Sequence, residues 1–329
     1  MLLLFTLVFL EFIVFFHEFG HFLAAKLVCV PVEEFSLGFG PACLTAKSSV
    51  TKYSLRVFPI GGYVAFKEDA NFLNIRIFKR GLIVLAGPFF NLLLGLVMVA
   101  FSLGLQGKYN STQVDVVTLQ GSKIKVGDEI KYVNNNYILD ANDLLYEISS
   151  LPLNKPINLT VIRNDKELKL LDVGEIIDTS SGPKRTLGIT LKVKNLNLLD
   201  YFSQVLKSFL SMFKLVLNSI FGLFTGNLTI KDFSGPIGLS RAVGKAGEKG
   251  LCSLIVLFAF LSMNVGLFNM IPFLALDGGQ FLFLIFEFIF KKPIKKNVQA
   301  AANMVGLVIL AGLFILITFK DIVSLILNG

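Results

Sequence analysis

The sequence predicts an α-helical membrane protein with about four transmembrane helices and one inserted α+β domain. Hydrophobic residues make up 54% of the 329 residues, and charged residues only 16%, whereas soluble domains contain about 25% charged residues. The mean hydropathy is +0.70. Long apolar runs lie near both ends of the chain, and a polar stretch of about 90 residues with short β-rich runs separates them.

The basic character of the chain fits membrane orientation better than nucleic-acid binding. The formal net charge is +8, but the basic residues form no single stripe or helix. Many of them flank apolar segments, where Lys and Arg set the orientation of a membrane protein. The three cysteines show no C-x-x-C pairing, so we expect no disulfide framework.

The first region, residues 1–105, contains two predicted transmembrane helices, at 1–28 and 82–105. We expect the first helix to be retained, because neither a basic n-region nor a small-residue cleavage site marks it as a signal peptide. The basic loop between them, 29–80, contains two β-like runs.

These runs, 53–58 and 63–66, flank the turn signal Pro59-Ile60-Gly61-Gly62 and predict a hairpin. The alternating residues are apolar enough for such a hairpin to dip into the membrane. An ordinary cytoplasmic hairpin fits the same residues.

The polar stretch 106–195 predicts one compact domain. A short helix is expected at 142–150, and strands at 157–163 and 167–173 flank Asn164-Asp165, a hairpin signal. The connector 196–250 follows.

Within this connector, the apolar side chains of residues 198–224 recur at helical spacing, and polar side chains fill the other face. This pattern predicts an amphipathic helix that lies in the membrane interface. Residues 235–238 predict a loop.

The last region, 251–329, predicts the third and fourth spans. Residues 251–290 are too long for one helix, and the lysines at 291–296 should share a side with the 29–80 loop. We therefore expect one span, interrupted near Pro272, that continues as a buried or interfacial segment. The final span is 303–327.

The two histidines of the chain are His17 and His21, with Glu18 directly after the first. On a helix, residues i and i+4 lie on one face, and H-E-x-x-H is the zinc metalloprotease pattern. Ionisable residues inside a membrane are costly and usually functional. The pattern therefore predicts a zinc site with Glu18 as general base.

A third zinc ligand has to be a carboxylate or a thiolate, because no further histidine exists. Asp277 is the first candidate, since it is an acid in a nearly uncharged segment; it could instead cap a helix N-terminus. Glu287, Cys29 and Cys252 are weaker candidates.

With these residues in view, the chain resembles the site-2 protease family of intramembrane zinc metalloproteases, in the bacterial branch of the regulator of sigma-E protease. The resemblance rests on six segments in order: 16–21, 35–41, 59–64, 85–91, 234–238 and 269–279. Two departures stand out. There is room for one PDZ-like domain where the Gram-negative archetype has two, and Leu274 replaces the second proline of the family motif.

The resemblance implies one zinc ion held by His17, His21 and Asp277, with Glu18 catalytic. It implies that Asn269 holds the unwound substrate strand, that 53–66 is a membrane-dipping β-loop and that 106–195 is PDZ-like. Asn91, Gly61 and Gly62 are further candidate substrate-binding residues, although Asn91 could instead bond to the first helix.

The implied protein is a zinc metalloendopeptidase of the bacterial inner membrane. Its site would face the cytoplasm, and its PDZ-like domain the periplasm or exterior. Its partners would be single-span substrates, such as anti-sigma factors or spent signal peptides, a peptide or protein ligand of the PDZ-like domain, and the lipid bilayer, but no nucleic acid. The alternative is an inactive membrane-anchored PDZ-type scaffold, and the intact H-E-x-x-H motif argues against it.

Overall fold

The computed structural model describes residues 2–66, 75–179, 182–226 and 234–328. The chain divides into two compact units, one formed by residues 1–98 and 219–329 and the other by residues 99–218. The first unit contains the predicted zinc site. The second contains most of the β structure.

The first unit begins with helix α1 (Leu2–Leu27), a nearly unbroken apolar run. Strands β1 (Val32–Lys47) and β2 (Lys52–Phe66) follow as one long antiparallel hairpin. Its turn lies at 48–51, where the Ser48 amide donates to the Thr51 carbonyl at 2.9 Å.

The predicted hairpin at 53–66 is therefore wrong in its pairing. Residues 53–58 and 63–66 belong to the single strand β2, and the partner is β1. Gly61 adopts a φ of 97° and the register shifts repeatedly along the hairpin, so the Gly-rich segment is absorbed as an irregularity within a strand.

Helix α2 (Ile77–Gln106) runs from the first unit into the second and contains Pro88. In the second unit, strand β3 (Lys108–Val117) is followed by β4 (Glu129–Val133), β5 (Asn136–Tyr137) and helix α3 (Ala141–Ser150). The remaining strands are β6 (Leu159–Arg163), β7 (Lys166–Leu170), β8 (Glu175–Thr179), β9 (Gly182–Thr186) and β10 (Ile189–Asn195).

The strands of the second unit form an antiparallel sheet in the order β10-β3-β4-β6-β7, with β5 paired to β4, and a separate β8-β9 ribbon. The hairpin predicted around Asn164-Asp165 is confirmed as β6-β7. The core is aliphatic, with Ile130, Leu144 and Val161 almost completely buried. Asp128, which directly precedes β4, has no exposed side-chain area and pairs with Arg163 at 2.7 Å.

Helix α4 (Leu198–Thr225) starts in the second unit and ends in the first. Lys214, on its polar face, contacts Asp143 Oδ1 at 3.0 Å and Glu147 Oε1 at 2.8 Å, both on α3. The opposite face exposes large apolar side chains, among them Leu199 and Phe202.

The first unit is completed by α5 (Pro236–Glu248), α6 (Leu251–Asn269), α7 (Asp277–Phe290) and α8 (Lys296–Asn328). The loop predicted at 235–238 is wrong, because Gly235 caps α5 and Pro236 occupies its first turn. Proline suits that position, since its missing N–H is not needed there. The predicted break near Pro272 is confirmed by the short segment 270–276.

Among the described residues, five helices are long and apolar enough to cross a membrane. Four of them (α1, α2, α6 and α8) coincide with predicted spans, and the fifth is α4. Helix α7, with 14 residues, is shorter than a typical span. The chain is thus a multi-pass membrane protein with an additional β domain.

Candidate metal centre

Helix α1 places both histidines on one face, because they are four residues apart. The two Nε2 atoms lie 3.3 Å from each other, and the ring planes are nearly perpendicular at 83°. His17 is 7% exposed, so the pair lies below the protein surface.

Asp277, the first residue of α7, brings a carboxylate to the same point. Its Oδ2 atom lies 2.9 Å from His17 Nε2 and 3.4 Å from His21 Nε2. Leu276, not Asp277, occupies the N-cap position of α7, so the helix-cap alternative for Asp277 does not hold. The structure therefore brings the three predicted ligands together.

The three donor atoms fit a zinc ion. Protein ligands bind zinc at about 2.0–2.1 Å in tetrahedral geometry, which separates any two donor atoms by about 3.3 Å. The observed separations are 2.9, 3.3 and 3.4 Å. Asp277 Oδ2 is also buried, and among the described residues its close polar neighbours are the two ring nitrogens, as expected of a metal ligand.

The approach of Asp277 depends on the glycine that follows it. A Cβ atom on Gly278 would lie 2.1 Å from the Ile271 carbonyl oxygen, so the 270–276 segment folds back against the start of α7. Ala275 in this segment has a φ of 75°, a conformation that L-residues adopt at a cost. The tight turn delivers the carboxylate to helix α1.

Helix α2 orients His21. The Nδ1 atom of His21 lies 2.8 Å from the Ile83 carbonyl oxygen, which can only accept a hydrogen bond. The hydrogen of His21 is therefore on Nδ1, and Nε2 carries the lone pair that a metal needs. Gly87 makes room for this ring, because a Cβ atom there would lie 2.2 Å from His21 Nε2.

A cavity of about 490 Å³ opens beside the ligands. Glu18 lines it together with the hairpin and α7, and Glu18 Cγ lies 2.9 Å from the place of a Cβ on Gly62. Glu11 lies about two helical turns before Glu18 on α1 and accepts a hydrogen bond from the Gly61 amide at 3.2 Å. This bond fastens the hairpin to the helix that holds both histidines.

The four candidate substrate-binding residues divide into two groups. Asn269, Gly61 and Gly62 line the cavity, and Asn269 Nδ2 lies 3.5 Å from His17 Nε2. Asn91 has no exposed area and its Nδ2 atom lies 3.2 Å from His17 Nδ1. This position favours the alternative in which Asn91 bonds to the first helix.

The weaker ligand candidates lie elsewhere. Glu287 is paired with Arg80 in a buried contact on the other end of α7. Cys29 is exposed, and neither it nor Cys252 belongs to the ligand cluster found among the described residues.

Sequence reasoning missed Gln280, which lines the cavity one helical turn after Asp277. The turn spacing from Asp277 was the available signal, since residues i and i+3 share a helix face. It also missed the orienting contact of Ile83, because a backbone carbonyl leaves no trace in side-chain identity.

The family model described as Peptidase family M50 matches residues 5–313. A protein from Fusobacterium nucleatum is 29% identical over 98% of both chains. A protein from Clostridium perfringens is 31% identical over 99% of this chain and all of its own, and one from Clostridium acetobutylicum is 32% identical over 93% of both. All three are named zinc metalloproteases.

Proposed function

Because the chain belongs to peptidase family M50, the site-2 protease family of zinc metallopeptidases, we propose that it cleaves transmembrane segments of single-span membrane proteins. The substrates would be proteins already trimmed by another protease, such as anti-sigma factors or remnant signal peptides. The observation that carries this proposal is the meeting of His17, His21 and Asp277, beside Glu18, on helices that include a candidate span.

His17, His21 and Asp277 would hold the ion, and three protein ligands are usual in catalytic zinc sites. When bound, zinc lowers the pKa of water and polarises the scissile carbonyl. Glu18 is next to His17 in sequence and lines the same cavity, so it is the group placed to take a proton from the attacking water. Glu18 then passes this proton to the leaving amine.

The cavity wall supports a role for the hairpin in substrate binding. Gly61 and Gly62 belong to β2 and line the same cavity as Asn269. A peptide unwound from its helix has free backbone N–H and C=O groups, and these need partners inside a membrane. We assign the β2 backbone and Asn269 to that task, and the hairpin to a membrane-dipping position.

The topology we propose has four spans, α1, α2, α6 and α8, with α4 lying in the interface. The polar face of α4 is engaged by α3, and its apolar face is exposed, which supports this arrangement. Residues 106–195 form a PDZ-like domain on the periplasmic or external side, with a peptide or protein ligand. The active site faces the cytoplasm of a bacterial cell, and the protein resides in the inner membrane.

Replacing Glu18 with Gln tests the proposed activity. The purified variant should retain zinc and lose cleavage of a model transmembrane substrate, because only the proton acceptor is removed. Glu33→Gln is the matched control, since Glu33 is exposed and lies outside the cavity. Cleavage that survives Glu18→Gln would rule out Glu18 as the base, and wild-type protein that holds zinc without cleaving would favour the scaffold alternative.

Replacing Asp277 with Ala tests the third ligand. Loss of one of three protein ligands should lower zinc occupancy in the purified protein well below that of Glu18→Gln. Unchanged occupancy would remove Asp277 from the ligand set.

A further inference from the structure

Asn91 is a polar side chain buried inside the helix packing, outside the cavity. It has no exposed area, and its amide lies against the Nδ1 side of the His17 ring at 3.2 Å. The Nε2 side of the same ring faces Asp277 Oδ2 and His21 Nε2. Asn91 thus touches the histidine on the side away from the proposed metal.

The proposed zinc site fixes which nitrogen of His17 carries hydrogen. Nε2 points at the other two donor atoms, so it has to present a lone pair, and the hydrogen of the neutral ring then lies on Nδ1. An Nδ1–H group needs an acceptor. An amide NH₂ is a donor only, so the nitrogen of Asn91 cannot be the group that faces it.

The oxygen and nitrogen of an Asn amide have nearly the same shape, and the hydrogen-bond network decides which is which. Rotating the Asn91 amide by a half turn places Oδ1 against His17 Nδ1 at the same separation. In the other orientation Oδ1 is buried without a hydrogen-bond partner among the described residues.

We propose that Asn91 is the positioning residue of His17: its Oδ1 accepts the Nδ1–H bond and so fixes both the tautomer and the ring orientation for zinc. This inference rests on the proposed function, since it assumes that His17 binds zinc through Nε2. Partners of this kind behind a metal-bound histidine commonly contribute 10–100-fold to metal affinity.

Helix α6 holds Asn91 in place. Ser262 Oγ donates to the Asn91 backbone carbonyl at 2.8 Å. A Cβ atom on Gly266 would lie 2.9 Å from the Pro88 carbonyl and 3.1 Å from Asn91 Cβ, so the two helices are in close contact at this point. Asn91 therefore has little freedom to turn away from His17.

Two substitutions with opposite expectations test the proposal. Asn91→Leu removes the acceptor at similar size and should lower zinc affinity about 10–100-fold, measured by competition with a chelator. Asn91→Asp retains an acceptor at the same place and should bind zinc within a few-fold of wild type. Asn264→Leu is the matched control and should not change affinity, because the Asn264 amide donates to the Phe260 carbonyl of its own helix at 2.8 Å.

The small number of histidines provides a readout other than affinity. In zinc-loaded protein labelled with ¹⁵N-histidine, only His17 and His21 contribute signals. We expect a slowly exchanging Nδ1–H signal from each in wild type and in Asn91→Asp. In Asn91→Leu the His17 signal should exchange faster, whereas the His21 signal, whose acceptor is the Ile83 carbonyl, should not change.

The outcomes separate the two proposals. Equal loss of zinc affinity in Asn91→Asp and Asn91→Leu, or wild-type affinity in Asn91→Leu, would overturn the role of Asn91. If Asn91→Leu does not fold, the Asn91→Asp result decides. A carboxylate that accepts the Nδ1–H bond of His17 would retain zinc binding, whereas a carboxylate that faces a lone pair on Nδ1 would abolish it. If the zinc affinity of His17→Ala equalled that of the wild type, this result would instead overturn the metal site itself.

Discussion

At the scale of single residues, the histidines are positioned from one neighbouring helix. Helix α2 contributes the Ile83 carbonyl to His21, Asn91 to His17, and the vacancy at Gly87 that admits the His21 ring. Any side chain at position 87 would occupy the place of His21 Nε2. Gly87 thus has a packing function at the proposed metal site.

Gly87→Ala should therefore displace the His21 ring and lower zinc affinity by at least tenfold, measured by chelator competition, because a metal ligand tolerates little displacement. Gly81→Ala is the matched control on the same helix. A Cβ atom there meets only a Phe281 ring carbon, at an ordinary 3.8 Å, and Ala is about 1 kcal/mol more favourable than Gly within a helix. Equal zinc affinity in the two variants would contradict the role of Gly87.

At the scale of elements, α8 supports the segment that delivers Asp277. Gly306 is buried, and a Cβ atom on it would lie 2.2 Å from the Leu274 carbonyl oxygen. Leu274, the residue that replaces a family proline, is thus packed directly against α8. The backbone path into Asp277 is set by this contact as well as by Gly278.

Gly306→Ala should push α8 and the 270–276 segment apart, and so reduce both zinc occupancy and thermal stability. Gly312, on the same helix, has open space around its Cβ position. Gly312→Ala should leave zinc occupancy unchanged and the melting temperature equal or higher. Both quantities can be measured on purified protein, and a harmless Gly306→Ala would show that the segment holds its path without α8.

The interfacial position of α4 is tested by labelling the ends of the helix. Asn197 and Thr225 are exposed polar residues at the two ends of α4 and lie about 42 Å apart along a helix axis, more than the thickness of a hydrocarbon core. After replacement of the native cysteines by serine, Asn197→Cys and Thr225→Cys should both react with an impermeant maleimide added to the outside of sealed cells.

Val126→Cys, on the exposed surface of the β domain, is the positive control for external labelling. Labelling of Thr225→Cys only after the membrane is opened would make α4 a fifth span. The ion pairs argue against that result, because Lys214, in the middle of α4, is bound to Asp143 and Glu147 of the β domain and so lies outside the lipid.

The elements that could be read from the sequence are those with a long, regular pattern. Helices α1, α2, α6 and α8 were predictable because each is a nearly unbroken apolar run. Helix α5 was not, because its 13 residues begin with a proline and include three glycines, which read as a loop.

The second limit on prediction from the sequence was contact between segments that are far apart along the chain. Strand β1 contains glycines and a proline that read as turns, so the hairpin partner of β2 was misassigned. His17, Glu18 and His21 were recoverable because their spacing is local. The contact between His17 and Asn91 spans 74 positions, and no spacing rule reports it.

At the scale of the whole molecule, the two units have separate cores, and they should respond separately to mutation. Asp128 and Arg163 form a hydrogen-bonded ion pair in the second unit. Burial raises the pKa of Asp128, but the bonds from Arg163 and the Lys125 amide outweigh it and hold the pKa below its ordinary value of 3.8. Asp128 is therefore more readily ionised in the folded state.

The lowered pKa of Asp128 determines how the stability of the second unit depends on pH. The stability that Asp128 contributes should be complete above its ordinary pKa and should be lost as the pH falls through the lower, folded value. Asp128→Asn should lower stability near neutral pH by about 1.5–3 kcal/mol, the worth of hydrogen bonds to a charged group.

Hydrogen exchange of the Ile130 and Val161 amides reports the stability of the second unit. Asp115→Asn, at an exposed position, is the control. Zinc content should not change in Asp128→Asn, since the proposed ligands all lie in the first unit. Loss of zinc in parallel with loss of β-domain stability would contradict the independence of the two cores.

The positions of the proposed zinc ligands in the sequence also determine when the metal site can form during biosynthesis. Asp277 is translated 256 residues after His21, which at about 5–20 residues per second takes about 13–50 s. During this interval the histidines have been made and inserted, but the proposed third ligand does not yet exist. A ribosome-bound chain that ends before Asp277 should therefore hold zinc poorly and cut nothing, so the enzyme acquires its metal and its activity only after most of the molecule has entered the membrane.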